Sequence, residues 1–274
     1  MIKKSLKKII AISLVTISMF ALSACGSNKS SSDSKSAAVE KIKKSGKLVL
    51  GTSADFPPYE FHKSVNGKDE IVGFDIEIAK QIAKDLGVKL EVKDMKFDGL
   101  LASLNQGKVD LVLSGMTPTD ERKKNVDFSD LYYTSVQSII VKKADKDKFK
   151  TAKDLDGKKI GVQKGSIQEG IAKKQVPGAE RVGLGKVSDL ILALNTNRVD
   201  STLVELPVAT SYVKANKDLV VSDIKVDAEE AGSAVAVKKG NSDLVKEINK
   251  TLDRLKKEKA VDKYVTEASK LADQ

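Results

Sequence analysis

Apolar residues along the chain change period in a regular alternation. Leu48 to Leu50 and Leu111 to Leu113 are short continuous runs of the kind that form buried strands. Ile78, Ala79, Ile82, Ala83 and Leu86 instead recur with helical period, in a helix that Asp75 can cap and Gly87 can stop. Residues 88–95 alternate like a strand, and Asp98 can cap a further helix carrying Leu100, Leu101 and Leu104. Strand, helix, strand, helix, strand predicts an α/β fold with a mixed, mostly parallel sheet and right-handed crossovers. Residues 132–142 read as an extended segment leaving this lobe. The pattern then restarts. Residues 155–163 give a turn and a strand, and 164–169 open a helix in which Ser166 and Glu169 have capping-box spacing. A helix to about Lys214, extended pieces near Val220 and Ile224, a strand over 233–237 and an amphipathic helix over 243–258 follow. The strand over 233–237 is expected to return to the first lobe. Lobe 1 then comprises 39–132 and 228–274, lobe 2 comprises 133–227, and a two-strand hinge lies near 132–136 and 227–232.

An internal repeat sharpens this plan. LLASLNQGKVD (100–110) aligns without gaps to LILALNTNRVD (190–200), and the extended register sets Ser114 and Gly115 opposite Val204 and Glu205. Each copy is a helix feeding a strand, and open α/β sheets bind ligands outside the carboxyl ends of their strands. After the first such end, Thr117 suits an N-cap, Pro118 the first helical position and Asp120 an acidic first turn. Unpaired N–H groups would then collect beside the strand end, a natural anion site. Arg122, one turn further in, has the planar fork that grips a carboxylate at two points. The chemistry offered is anion capture, since no nucleophile stands beside a base. Phe56, close to the end of the first strand, is a candidate ligand wall in a loop that Pro57 and Pro58 hold open. His62, the only histidine, reads as a surface residue without a metal partner.

The amino-terminal stretch adds an address. Residues 1–8 carry four lysines, 9–22 are apolar, and small residues lead to Cys25, the order of a secretory signal over 1–24. The apolar run is too short for a comfortable membrane span. Residues 25–38 are serine-rich and read as a flexible tether. With one cysteine the exported part has no disulfide framework, and roughly 235 residues suffice for two lobes with their own cores. The formal charge of +10 falls to +6 without Lys3, Lys4, Lys7 and Lys8. The remaining lysines alternate with acids rather than aromatics, which argues against a nucleic-acid partner.

Five stretches carry a resemblance: GTSADFPPYEF (51–61), GFDIE (73–77), SGMTPTDER (114–122), DFSDLYY (127–133) and GVQKGS (161–166). From about Val39 onward the chain resembles the extracellular solute-binding proteins of polar amino acid ABC transporters, family 3 type. The resemblance implies a two-lobed periplasmic-binding-protein fold of type II, with neither cofactor nor metal. It also implies an amino acid ligand, a membrane permease as partner and a monomeric state. The signal is similar to that of a lipoprotein, which implies lipid attachment at Cys25 on the outer face of the cytoplasmic membrane, as in a Gram-positive bacterium. Carried over to this sequence, the family implies that Arg122 pairs with the ligand α-carboxylate, helped by Thr117 and by the Ser166 N–H. The α-ammonium would meet Ser114 or Gly115 and the carboxylate of Glu205, with Asp55 as the other candidate. Phe56 and Phe97 would flank the side chain. Ser53 and Gln168 lie where relatives discriminate among side chains, and Met116 and Gly165 complete the two strand-end loops. Three departures stand out: Glu205 occupies a position where Asp is common, Ser53 one where many relatives have an acid, and 260–274 lacks a frequent aromatic pattern.

The expected function is capture of a free polar L-amino acid for import, with a cationic or amide side chain favoured by Ser53, Asp55, Gln168 and Glu205. One alternative is a secreted cyclohexadienyl-dehydratase-like enzyme on the same fold, with Glu205 as proton donor. It needs a basic pocket for two ligand carboxylates, which the sequence does not display. The other alternative, a surface adhesin or signalling module, has no use for Arg122 together with Glu205.

Overall fold

A computed structural model describes residues 37–228 and 232–273. The expected signal, Cys25, most of the tether and residues 229–231 of the second hinge segment lie outside these residues. The first lobe begins with α1 (Ala37–Ser45), β1 (Lys47–Thr52), β2 (Asp55–Phe56), β3 (Glu60–Val65), β4 (Lys68–Val72), α2 (Phe74–Leu86) and β5 (Lys89–Asp94). It continues with α3 (Leu100–Asn105), β6 (Leu111–Val112), the single-turn α4 (Asp120–Lys123) and β7 (Val126–Phe128). The second lobe holds β8 (Gln137–Lys142), β9 (Lys159–Gln163), α5 (Ile167–Gln175), β10 (Glu180–Leu184), α6 (Val187–Asn195), β11 (Ser201–Glu205), α7 (Leu206–Ala215) and β12 (Leu219–Val221). The chain then returns through β13 (Ala236–Lys238) to α8 (Ser242–Lys257) and α9 (Ala260–Ala272), which pack on α2.

The two main sheets follow one plan. Their orders are β5-β1-β6-β13-β7 and β10-β9-β11-β8-β12. In each, the second strand runs parallel to both neighbours, and the fourth runs antiparallel to both of its own. The sequence repeat falls on α3–β6 in one and α6–β11 in the other, so equivalent residues feed equivalent strand ends. Where the chain passes between the lobes, Tyr133 and Ser233 form an isolated antiparallel bridge.

Local chemistry explains most elements. Ile78, Ala79, Ile82, Ala83 and Leu86 are the buried face of α2, which ends at Gly87 in the left-handed conformation. Asp75, expected as its cap, is instead a fully buried residue of the first turn. The cap position belongs to Gly73 at φ 134°, where a Cβ would lie 2.1 Å from the Tyr59 carbonyl oxygen. Thr119, not Thr117, caps α4, because its Oγ1 accepts the Arg122 N–H at 3.2 Å. The helix is only four residues long and starts at Asp120 rather than at Pro118. Asp98 lies in a 3-10 turn ahead of α3 rather than at its cap. Ser166 precedes α5, but its Oγ donates to the Gln163 carbonyl at 2.7 Å while Glu169 accepts the Gly165 N–H at 3.0 Å. The reciprocal capping box is therefore not made. The loop over 53–61 is not held open either: β2 pairs with β3, which pairs with β4, in a small antiparallel sheet. Among the described residues no helix is long and apolar enough to cross a membrane.

Candidate functional site

The carboxyl ends of β6 and β11 face each other across the junction of the lobes and line a narrow pocket with room for little more than a water molecule. From the first lobe, Phe56, Phe97, Ser114, Gly115, Thr117 and Arg122 line it. Gln163, Ser166, Ile167, Gln168 and Glu205 line it from the second.

Arg122 is fixed by its own hydrogen bonds. Nη1 donates to the Thr117 carbonyl at 2.7 Å and Nη2 to the Gly165 carbonyl, across the junction, at 2.8 Å. Its guanidinium carbon also lies 5.4 Å from the centre of the Phe97 ring, within range of a cation–π contact. Facing it from the second lobe is the start of α5, where Ser166, Ile167 and Gln168 reach the cavity. Gln168 is buried, and its Nε2 donates to Gln137 Oε1 at 2.9 Å.

Glu205, the last residue of β11, is 4% exposed and accepts a hydrogen bond from the Tyr59 hydroxyl of the other lobe. Burial raises its carboxyl to about 7; the Tyr59 bond opposes that rise and the charge of Asp75 adds to it. Gly115 has φ 54°, and a Cβ there would meet the Phe56 ring at 3.0 Å, so only glycine lets that ring lie against the turn. The cavity thus has a guanidinium from one lobe, a buried carboxyl from the other, and two aromatic rings.

Four of the residues expected at the site do not line the cavity. Ser53 is buried, giving its N–H to Ser114 Oγ at 3.1 Å and its hydroxyl to Asp55 at 3.2 Å. Asp55 turns to the start of α6, accepting from the Ser188 N–H at 2.9 Å and the Ser188 hydroxyl at 3.2 Å. Met116 is core, packed in a cluster with Phe97 and Leu100. Gly165 acts through its carbonyl, as the acceptor of Arg122. Conversely, Gln163, Ile167 and Tyr59 were not expected. Gln163 ends β9 and Ile167 begins α5, so the strand-end rule alone would have selected both. Nothing in the sequence pairs Tyr59 with a residue 146 positions away. Among the described residues no group of His, Cys, Asp or Glu side chains is placed to hold a metal ion.

Residues 48–267 match the model of the bacterial extracellular solute-binding proteins, family 3. The arginine-binding extracellular protein ArtP of Bacillus subtilis (strain 168) is 45% identical over 255 residues, covering 91% of this chain and 93% of that protein. The L-cystine-binding protein TcyJ of Escherichia coli (strain K12) is 37% identical over 221 residues, covering 80% and 81% respectively. Among solved structures, the amino acid ABC transporter substrate-binding protein AbpA from Streptococcus pneumoniae, bound to L-arginine, superposes with a TM-score of 0.83. It is 44% identical and the match covers 86% of this chain and 99% of that one.

Proposed function

This chain belongs to the bacterial extracellular solute-binding proteins of family 3, and from that premise we propose that its ligand is a cationic L-amino acid, arginine first. It is an amino acid-binding protein of an ABC importer, and the relatives do not favour the dehydratase-like alternative. The observation that carries the finer reading is that Arg122 and Glu205 line one pocket from opposite lobes. An α-amino acid is a dipole, and this pair offers a cation to its carboxylate and an acid to its ammonium.

In this reading Thr117 and the Ser166 N–H assist Arg122, and Ser114 and Gly115 lie at the ammonium end. Phe56 and Phe97 flank the side chain, where ring faces favour a planar cation. Gln163 and Gln168 supply amide groups to a guanidinium. The names of ArtP and AbpA support arginine, and that of TcyJ keeps cystine as a competitor. The lobe division at 132/133 and 227/228 is supported by β8 joining one sheet and β13 the other. Lipid attachment at Cys25 and a monomeric state complete the proposal.

Calorimetric titration of the protein with the common L-amino acids, cystine and prephenate tests it. Arginine should bind most tightly, lysine less so, and prephenate not at all. Tighter binding of cystine or of an acidic amino acid would overturn the assignment of the side-chain pocket.

A further inference from the structure

Behind the Ser114–Gly115 turn lies an acid pair that the site as read above does not use. Glu60, at the start of β3, and Asp75, in the first turn of α2, are completely buried, and their carboxyl groups are close enough to act on each other. Ser114 Oγ donates to Glu60 Oε1 at 2.6 Å. The Gly115 N–H, at 3.0 Å, and the Tyr132 hydroxyl, at 2.8 Å, both donate to Asp75 Oδ2. Among the described residues no third group donates to Glu60 Oε2 or Asp75 Oδ1, which leaves these two oxygens to a proton held between them.

The groups that face the pair are themselves acidic. Asp55 from β2 acts on Glu60, Tyr59 and Tyr132 border the pair, and Asp75 acts on Glu205 at the end of β11. Two neighbouring carboxylates, completely buried in such surroundings, cannot both be charged, so a proton lies between them. Donors already converge on Asp75 from two directions. The proton therefore belongs to Glu60, whose O–H donates to Asp75, and the charge belongs to Asp75.

We propose that Glu60 and Asp75 are positioning residues that share one proton and hold the Ser114–Gly115 turn, with a negative charge behind it, for the ligand's ammonium group. This rests on the assignment of that turn to the ammonium end. The hydroxyl of Ser114 and the N–H of Gly115 are drawn back to the acids, away from an ammonium group that they would repel. Burial is also the main reason that Glu60 stands well above the usual carboxyl range and Asp75 rises to about 6.

Infrared spectroscopy at about pH 8, above the values of about 6 and about 7 for Asp75 and Glu205, reads the proton shared by the pair independently of any ligand. One protonated-carboxyl band should be present, should vanish in Glu60→Gln and should persist in Glu205→Gln. Binding of L-arginine gives the second arm. Glu60→Ala and Asp75→Asn should weaken it roughly tenfold or more, the effect of losing a charge-assisted hydrogen bond. Glu60→Gln, which still donates to Asp75 and accepts from Ser114, should restore affinity to within about threefold of wild type. A band that survives Glu60→Gln, or a folded Asp75→Asn protein that binds like wild type, would overturn the proposal. Failure of the wild-type protein to bind arginine would instead sink the ligand reading, and the infrared band would still decide the pair.

Discussion

Arg122 projects from a helix of one turn, so its direction depends on its bonds to Thr117 and Gly165 rather than on helix packing. Arg122→Ala should therefore lower affinity for every amino acid alike, by about 2–5 kcal/mol, as when one side of a desolvated charge pair is truncated. Lysine should restore only part of this, since it lacks the fork. Calorimetry decides, and an unchanged affinity in a folded Arg122→Ala protein would move the carboxylate site elsewhere. Glu205 is testable through pH. Its carboxyl rises from 4.5 to about 7, chiefly through burial. An acid whose pKa is higher in the folded chain stabilises the fold fully below its unfolded value. That contribution is lost as pH rises to the folded value, on the order of 3 kcal/mol at ~1.36 kcal/mol per unit. An ammonium ligand needs the ionised form, so binding should release a proton and strengthen over the same interval. Without added ligand, Tm should fall between about pH 5 and about pH 8 while the arginine-induced rise in Tm grows; Glu205→Gln should flatten the second trend and lessen the first, to which Asp75 also contributes. An arginine-induced shift that ignores pH would remove Glu205 from the ammonium site.

At the scale of elements, Asp55 lets β2 clamp the second lobe from outside the cavity that its neighbour Phe56 lines. Asp55 holds the start of α6 through Ser188, and its carbonyl accepts the Tyr212 hydroxyl of α7 at 2.7 Å. Lys186, just before α6, also meets Asp94 at 2.6 Å. Asp55→Ala should weaken arginine binding by about 1 kcal/mol although Asp55 does not line the cavity, and should reduce ligand-induced compaction in small-angle scattering. Wild-type affinity and compaction would show that this clamp plays no part in closure. Such contacts set the limit of what could be read from sequence. Periodicity located α2 and α8 from signals a few residues apart, and the repeat located the two strand ends because 100–110 and 190–200 match without needing to touch. The β3–β4 hairpin was missed, although Asn66 and Gly67, left-handed with φ 51° and 77°, are the turn pair that such hairpins favour. Asp55 was misread because its partner, Ser188, lies 133 residues away. Asp75 was misread because an acid in a first helical turn has the same local signal whether it caps the helix or is buried beneath a neighbouring loop.

At the scale of the molecule, the two sheets share one strand plan, and a cleft between copies needs an external address to meet its transporter. If Cys25 carries the anchor, Cys25→Ser should shift the protein from the membrane fraction to the medium, and continued membrane association would point to an uncleaved helix. The double crossing at Tyr133 and Ser233 has a mechanical consequence. Both ends of the described chain belong to the lobe in which α1 packs on α8. A pull applied between those ends loads that lobe alone, while the other hangs as a closed loop, pinned at its neck and outside the path of the force. Topology, not relative stability, then sets the order of mechanical failure: the lobe that holds both ends must yield before tension reaches β8 to β12.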